Sequence, residues 1–367
     1  MLSSFVYFDV YFCRFILILN VQPSTPNIKS VFSLKRVAIP ITIGICFSAY
    51  SLYASNFDLS VLKGIEVSFK YIFWALFCML IRDLMYIIRI RVLTENQLSW
   101  VDSWHVVMLW EFASSVTPSM VGGSVFAIYF VNQERLSLGK STAIVLTTAM
   151  LDEIFYILTV ALLLMIVGTH LVHFGDSLPF DPMLFFFLGY AVIIAMTTGI
   201  TLGIFVAPHG IKKLLVKLFS FSFLKKWQSY MEKTGDDLIA TSIELKGKSF
   251  GYWAKAFITT ILTWTARFMV LNFLILALNP ELGFHIMQQL LFFAKQLVMW
   301  VILMISPTPG ASGIAELSIS AFFKTNFPEH THAAVAVLWR AISYYPYLAI
   351  GLIVLPVWLR KIGRRKS

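Results

Sequence analysis

The stretch "SPTPGASGIAEL", residues 306–317, contains two prolines, two glycines and the acid Glu316, and long apolar runs lie on both sides of it. Proline lacks a backbone donor and clashes with the preceding helical turn, so a helix that enters this stretch must break there. Irregular backbone at membrane depth persists only where it is buried in protein or lines a polar cavity. The stretch therefore predicts a broken helix beside a polar site inside a membrane protein.

The composition agrees with a membrane location. Of the 367 residues, 58% are hydrophobic and 13% are charged, and the mean hydropathy is +0.79. Apolar runs long enough to cross a bilayer recur along the chain, which predicts an all-α, polytopic transmembrane helical bundle. The net charge of +10 lies in short loops beside these runs, so it indicates topology and no nucleic-acid partner. Cys13, Cys46 and Cys78 lack metal or redox spacing, and we expect no cofactor and no metal.

The positions of Lys and Arg predict a topology in which both termini are cytoplasmic. Full spans are expected at residues 37–55, 68–89, 141–168, 183–206, 251–278 and 331–359, and the second of these delivers Arg89 and Arg91 to the cytoplasm. The predicted divisions are an N-terminal cytoplasmic or interfacial segment (1–36), a first transmembrane half (37–206), a basic amphipathic cytoplasmic linker (207–250), a second transmembrane half (251–359) and a basic cytoplasmic tail (360–367).

Two helix breakers predict re-entrant hairpins, which enter a bilayer without crossing it. The first breaker, "TPSMVGG" at 117–123, separates arms of about 12 residues, each roughly 18 Å long and too short for a ~30 Å hydrocarbon core. Because its flanks are basic, the hairpin 104–131 is predicted to enter from the cytoplasm. The hairpin 285–326 is predicted to enter from the outer side, although residues 285–305 alone are long enough to cross. Two opposed hairpins are typical of an inverted repeat.

The ionisable and helix-breaking residues at these depths form the candidate site. A charge at the bilayer centre costs about 2.5–3.5 kcal/mol on insertion scales, so it should face a cavity or an opposite charge. The first turns of half-helices offer free N–H groups and partial positive charge, which suit an anionic headgroup. We expect the basic side chains to contact the headgroup and the acids to carry a proton or to hold the arginines. Structural ion pairing and tight packing turns are the alternatives. The candidate substrate-binding residues are Arg82, Glu111, Thr117, Pro118, Gly122, Gly123, Asp152, Glu153, Arg267, Lys295, Pro307, Pro309, Gly310, Gly313, Glu316, Arg340 and Tyr344.

The second breaker also carries a family resemblance. Its pattern Pro-x-Pro-Gly-x-x-Gly-x-x-Glu, with Arg340 in the last span, resembles the hallmark of the lysylphosphatidylglycerol-synthase transmembrane family, a flippase-like membrane domain. An earlier hallmark, a proline followed by a Gly-Glu pair, is similar to Pro118 and residues 122–124, where Ser124 stands in place of the acid. The resemblance covers roughly residues 35–360 and implies movement of lipids such as aminoacylated phosphatidylglycerol between leaflets. Bifunctional members carry a soluble aminoacyl-transferase domain after the membrane part. This chain stops at Ser367, so we expect no synthesis from it.

These features predict a lipid transporter rather than an enzyme. No HExxH motif and no P-loop occur, so neither a zinc protease nor an ATP-driven pump is supported. The expected substrate is an anionic, aminoacylated or polyprenyl-phosphate lipid, and the expected location is the inner membrane of a bacterial cell. A non-transporting integral membrane partner or regulator of an envelope-biogenesis enzyme is the alternative. "GASG" at 310–313 resembles the nucleophile segment of rhomboid intramembrane proteases, but the preceding Pro-Thr-Pro and Glu316 do not fit that chemistry. The lipid, the energy source and the oligomeric state stay open.

Overall fold

The computed structural model describes residues 67–117, 119–168, 182–220, 228–304, 306, 308, 310–323 and 332–366, together with the isolated positions 42, 46 and 53. Within these ranges the chain folds into helices. They are α1 (Phe69–Leu93), α2 (Trp100–Val116), α3 (Ser119–Gln133), α4 (Leu138–Val167), α5 (Pro182–Thr201) with a π-helical end (Leu202–Val206), α6 (Pro208–Leu218), α7 (Gln228–Lys246), α8 (Phe250–Leu278), α9 (Ile286–Met304), α10 (Ile314–Phe323), α11 (His332–Ser343) and α12 (Tyr345–Lys366), with a short 3-10 turn (Pro280–Leu282) before α9.

Six helical segments of the described chain are long and apolar enough to cross a membrane, which confirms the predicted all-α polytopic bundle. Five of them correspond to predicted spans: Phe69–Leu93, Leu138–Ile166, Phe186–Val206, Phe250–Leu278 and Ala334–Arg365. The sixth, Ile286–Met304, is an arm of the second predicted hairpin, and its length is that of a span. Apart from the three isolated positions, the predicted span 37–55 lies outside the described residues.

Helices α1 and α8 pack against each other in antiparallel orientation. At one end, the backbone N–H of Ser68, just before α1, donates to the carbonyl of Ala277 near the end of α8 (2.8 Å). At the other end, the Tyr252 hydroxyl near the start of α8 donates to the carbonyl of Leu93 (3.3 Å). Both pairs join helix termini, so the two helices run side by side over most of their length.

One end of the bundle, here called the basic end, gathers helix termini through ion pairs. Lys248, just before α8, lies 2.6 Å from Glu95, just after α1. Lys361 of α12 pairs with Asp102 in the first turn of α2 and lies 3.3 Å from Glu134, just after α3. The outer ends of α2 and α3 and the end of α12 therefore lie on the same side of the molecule.

The predicted linker 207–250 folds mainly as α6 and α7, which pack on each other. Lys212 of α6 lies 2.6 Å from Asp236 of α7. Gly139 in the first turn of α4 lets α7 approach closely, since a Cβ there would lie 2.6 Å from the backbone nitrogen of Leu238. The linker is thus joined to the bundle at the start of α4.

Helices α2 and α3 form the first hairpin, and both of its outer ends lie at the basic end. Ser99 caps α2 by accepting a hydrogen bond from the backbone N–H of Asp102 (3.1 Å), so the helix starts at Trp100 and not at residue 104. The arms have 17 and 15 residues, which is about 25 and 22 Å, longer than predicted and still short of a ~30 Å core. Gly123 lets the arms touch, because a Cβ there would lie 2.0 Å from the Ser114 Oγ.

Helices α9 and α10 form the second hairpin, with residues 306–313 as its breaker. Near the C-terminal end of α8, the Asn272 side-chain amide donates to the carbonyl of Gln289 (2.9 Å), so α9 begins at the end opposite the basic end. Phe323, the last residue of α10, packs edge-on against Phe292 in the first half of α9, with 6.2 Å between ring centroids. Helix α10 therefore returns toward the end at which α9 starts. The two hairpins approach from opposite ends of the bundle, and their placement in a bilayer stays a prediction.

Helices α11 and α12 take the place of the last predicted span, 331–359. They are separated at Tyr344. Pro346 has no N–H to offer the carbonyl of Ile342, which gives a physical reason for the break. Helix α12 continues to Lys366, so most of the predicted basic tail is helical.

Candidate functional site

A cavity of about 250 Å³ lies where the two hairpins meet. It is smaller than the ~300–1,000 Å³ pockets that hold drug-sized ligands, so only a small chemical group fits inside it. Both hairpins contribute to its wall, together with α1, α4, α8 and α11. Six ionisable side chains with strong charges line it: Arg89, Glu111, Asp152, Glu153, Arg267 and Arg340.

The tips of the two hairpins contact each other at this cavity. A helix leaves its last carbonyls without intrahelical donors, and groups of the second half supply donors at the end of α2. The Tyr344 hydroxyl donates to the carbonyl of Ser115 (2.9 Å), and the Gly310 N–H donates to the carbonyl of Thr117 (3.4 Å). Gly310 has a φ of +57°, and a Cβ there would lie 2.3 Å from the Tyr344 ring, so the position requires glycine.

The second breaker is held by Glu316 and Arg340. The Gly313 N–H donates to Glu316 Oε2 (2.7 Å), which caps the first turn of α10. Arg340 Nε donates to Glu316 Oε1 (3.1 Å), and its Nη2 donates to the carbonyl of Gly310 (3.0 Å). The Glu316 side chain is 1% exposed and that of Arg340 is 5% exposed. The position at the start of α10 where an anion was expected is therefore occupied by the protein's own carboxylate.

Arg82 on α1 is compensated by two carboxylates. Its guanidinium lies 2.5 Å from Glu111 on α2 and 3.2 Å from Asp83. It also donates to the Tyr347 hydroxyl (2.6 Å), which in turn donates to Asp83 (2.7 Å). These ion pairs and hydrogen bonds join α1, α2 and α12. They correspond to structural ion pairing, the alternative role for the charged residues of the predicted site.

Arg89, one helical heptad after Arg82, forms a second buried ion pair. Its guanidinium holds Asp152 of α4 through both nitrogens, with 3.3 Å between Nη2 and Oδ2, and it donates to the Thr260 hydroxyl (3.0 Å). The Trp264 indole N–H donates to the same Asp152 carboxylate (2.6 Å). Arg89, which was predicted to reach the cytoplasm, has a side chain that is 2% exposed and lines the cavity, and its position relative to a bilayer stays a prediction.

Arg267 differs from the other cavity arginines in its surroundings. Its guanidinium lies over the rings of Trp264 and Trp300, at 5.4 and 5.0 Å from their centroids. Among the described residues, no carboxylate lies within ion-pair distance of it. Asp83 and Glu111 reach it only through longer-range electrostatics. The cavity thus presents a guanidinium backed by aromatic rings.

Glu153 has the opposite charge and lines the same cavity. Its Oε2 accepts a hydrogen bond from the Thr197 hydroxyl of α5 (2.7 Å). In the part of the chain that the structure describes, no Lys or Arg lies within ion-pair distance of this carboxylate. Arg267 and Glu153 are therefore the cavity charges that have no close opposite charge among the described residues.

Comparison with known proteins agrees with this architecture. Residues 37–351 match the family described as "Lysylphosphatidylglycerol synthase TM region". The chain belongs to this family. A protein of Archaeoglobus fulgidus named "UPF0104 membrane protein" is 23% identical over 279 residues, which cover 74% of this chain and 81% of that relative. No solved structure matches the chain.

In this member of the TM-region family, the hallmark residues shape the second breaker. Gly310 and Gly313 both have positive φ, +57° and +86°, which glycine adopts without steric cost. Glu316 caps α10, as described above. Pro307 and Pro309 lie outside the described residues.

The remaining predicted residues are divided between the first breaker and other places. Thr117 lines the cavity, and its hydroxyl donates to the carbonyl of Ala113 (2.7 Å). Pro118 lies outside the described residues, and Gly122 is placed within α3. Lys295 is not among the residues that line the cavity. Its ammonium lies 5.4 Å from the centroid of the Phe323 ring.

Several residues of the site were not predicted. Arg89 is the main one, and its spacing of seven from Arg82 was a usable signal, because residues seven apart share a helix face. The aromatic rings that hold Arg267 were also missed. Trp264 lies three residues before Arg267 on the same helix, so it could have been found by spacing. Trp300 belongs to α9, and no local pattern places it there.

Ser312, the residue that the protease interpretation requires, has different surroundings. Its hydroxyl lies 3.5 Å from the Tyr344 hydroxyl, and its side chain is buried. Nothing in this geometry supplies the adjacent base that a serine nucleophile needs. The described contacts therefore give the protease interpretation no support.

Proposed function

We propose that this protein moves a lipid with an anionic, aminoacylated or polyprenyl-phosphate headgroup between membrane leaflets. The observation that carries the proposal is Arg267, a guanidinium in the cavity between the two hairpins that contacts aromatic rings and, among the described residues, no carboxylate. A guanidinium binds a phosphate through two parallel hydrogen bonds. Family membership supports the proposal, because the name of the family refers to a phospholipid.

The other arginines around the cavity have less to offer a headgroup. Arg82, Arg89 and Arg340 each contact at least one carboxylate of the protein. Drawing one of them to a phosphate would leave a buried carboxylate uncompensated, which typically costs about 3–5 kcal/mol. Arg267 carries no such penalty. We therefore assign the headgroup phosphate to Arg267 and a positioning role to the other arginines.

The same charges favour one kind of headgroup among those expected. The described cavity lining carries three arginines and three carboxylates, and no described carboxylate lies close to Arg267. A single phosphodiester charge matches Arg267 better than the more highly charged phosphate of a polyprenyl phosphate. An ammonium on the same headgroup would find Glu153. An aminoacylated phospholipid thus fits the cavity better than the other candidates.

The topology is part of the proposal. We infer that the basic end faces the cytoplasm, since basic residues mark that side of inner-membrane proteins. The first hairpin then enters from the cytoplasm and the second from the outer side, as an inverted repeat places them. In this arrangement the cavity lies between the leaflets, where a headgroup has to pass.

The test is lipid exchange by the purified protein in liposomes. Fluorescent phosphatidylglycerol, aminoacylated phosphatidylglycerol and a polyprenyl phosphate are placed in the membrane, and a membrane-impermeant quencher reports which leaflet holds them. We expect the protein to speed exchange, Arg267→Gln to abolish it and Arg267→Lys to retain part of it. Arg360→Gln is the matched control, because Arg360 is an exposed arginine of α12. Equal exchange by Arg267→Gln and the native protein would contradict the proposal.

The alternative, a non-transporting partner of an envelope-biogenesis enzyme, gives a different result in the same assay. It predicts no exchange of any of the three lipids by a protein that is folded in detergent. It also predicts co-purification with one enzyme from the native membrane. That combination would replace the transport proposal.

A further inference from the structure

The hydrogen bonds and ion pairs around the two hairpins form two groups that meet at Tyr344, and each group with its helices is here called a body. Helix α12 belongs with the first hairpin. Gly351 of α12 approaches α2 so closely that a Cβ there would lie 2.1 Å from the Phe112 ring. At the basic end, Glu134 accepts from the Trp358 indole (2.7 Å) and from Arg365 (2.5 Å). These contacts hold α12 against both arms of the first hairpin.

Helix α11 belongs with the second hairpin instead. Arg340 is its main connection, since it contacts both Glu316 of α10 and the carbonyl of Gly310 in the breaker. Helices α11 and α10 also pack against each other. The break at Tyr344 therefore separates a helix that is fixed to one hairpin from a helix that is fixed to the other.

Two hydrogen bonds that the structure describes join the tips, and they differ in length. The Gly310 N–H donates to the Thr117 carbonyl at 3.4 Å, and the Tyr344 hydroxyl donates to the Ser115 carbonyl at 2.9 Å. Within the second tip, three bonds around Glu316 and Arg340 measure 2.7 to 3.1 Å. Hydrogen bonds weaken toward 3.5 Å, so Tyr344 supplies the stronger of the two bonds that join the tips.

We propose that Tyr344 marks a joint about which the second hairpin with α11 moves against the first hairpin with α12, and that the tip contact opens as a headgroup passes. The proposal rests on the proposed lipid transport and adds its moving part. Sharp helix breaks at proline are common sites of bending, and Pro346 leaves the carbonyl of Ile342 without its helical donor. Tyr344 acts as a positioning residue, because its hydroxyl closes the tip contact without being assigned to the lipid.

The motion can be measured without any transport assay. Spin labels at Leu317 on α10 and Ile353 on α12, in a variant without the native cysteines, report the distance between the two bodies in lipid nanodiscs. Both positions are exposed, at 50% and 70%. We expect two populations of distances in the otherwise native chain and one population after Pro346→Ala. A label pair at Val101 and Ile353, within one body, should give one population throughout.

A matched proline variant controls for the substitution itself. Pro356 lies inside α12, within one body, so Pro356→Ala should leave both distance populations in place. A single population in the native chain, unchanged by Pro346→Ala, would overturn the joint. This outcome is independent of whether lipid exchange is observed.

A cross-link tests whether the motion is needed for exchange. Thr117→Cys with Ala311→Cys places one cysteine in each tip, and oxidation should slow lipid exchange by about tenfold or more, which is about 1.4 kcal/mol on the barrier. Reduction should restore it. The control pair is Lys212→Cys with Gly235→Cys, because a Cβ at Gly235 lies 2.9 Å from that of Lys212, away from both tips. Full exchange by the oxidised tip pair would refute the opening of the tips.

The outcomes separate this inference from the proposed function. Two distance populations with no lipid exchange would retain the joint and reject transport. Exchange that depends on Arg267 but persists with the tips cross-linked would retain transport and reject the joint.

Discussion

Replacing Arg340 by methionine should destabilise the second hairpin strongly. The substitution keeps most of the volume but removes the ion pair to Glu316 and the hydrogen bond to the Gly310 carbonyl. Glu316 is 1% exposed, so a buried carboxylate would lose its ion pair with Arg340. Breaking a buried pair in this way costs about 3–5 kcal/mol. We expect a loss of that size in the free energy of unfolding.

A second substitution separates the charge from the packing. Glu316→Gln removes the negative charge and keeps a side-chain oxygen that accepts from the Gly313 N–H. In the double variant the charge that Arg340 balanced is also removed, and the residual cost should fall to about 1–2 kcal/mol for the lost bond to Gly310. The double variant should therefore be more stable than Arg340→Met alone, with a coupling energy of about 2–3 kcal/mol.

The assay is reversible unfolding of the purified protein in mixed micelles, followed by the fluorescence of its tryptophans. Arg360→Met is the control, because Arg360 is an exposed arginine of the next helix, α12, so its effect should stay within about 0.5 kcal/mol. The reasoning is refuted if Arg340→Met costs no more than this control, or if Glu316→Gln does not rescue it. Because Arg340 is structural by this argument, loss of lipid exchange in Arg340→Ala would not identify a headgroup contact.

Three further predictions concern other parts of the chain. Gly310→Ala should lower the melting temperature, because Gly310 has a left-handed backbone and the new Cβ would lie 2.3 Å from the Tyr344 ring. The control Gly363→Ala should not lower it, because no atom lies within 4 Å of the Cβ that would be added there. Glu134→Gln should cost about 1–3 kcal/mol in unfolding free energy because two basic groups of α12 lose their charged acceptor; an equal cost for the exposed Glu281→Gln would contradict this. Hydrogen bonding to a neighbouring carboxyl and the nearby lysines lower the pKa of Glu244 from 4.5 to about 2, so its stabilising effect is present above pH 4.5 and is lost as the pH falls toward 2. Glu244→Gln should therefore flatten the unfolding free energy over that pH range, and an unchanged slope would count against the assignment.

The helical class could be predicted from the sequence because lipid leaves few choices. A chain in a bilayer must satisfy its backbone groups within each segment, so long apolar runs become helices. The boundaries depend on local chemistry that hydropathy does not report. Ser99 starts α2 four residues before the predicted hairpin, and Pro346 divides the last span. Ser99 and Pro346 are both visible in the sequence. Each acts over only one helical turn, so the hydropathy of a long apolar run does not report it.

The charges of the site could be located but not paired. Glu316 and Arg340 were found as buried ions, yet their partnership spans a loop and 24 positions, and no local pattern indicates it. Arg89 was missed because it lies beside Arg91 near the end of an apolar run. Residues two apart on a helix point to nearly opposite faces. The structure accordingly buries Arg89 against Asp152 and leaves Arg91 to contact the chain after α1.

The pairing of these charges also explains why Arg267 is informative. Cation–π contacts contribute about 0.5–2 kcal/mol, and a central arginine costs about 2.5–3.5 kcal/mol to insert. Two tryptophan rings therefore offset only part of the cost of Arg267, while the other arginines around the cavity have carboxylates. A packing role alone would favour a carboxylate at this position as well. An anion gains more from contact with a partly uncompensated cation than from contact with a paired one. Binding of a headgroup phosphate to Arg267 should therefore stabilise the fold.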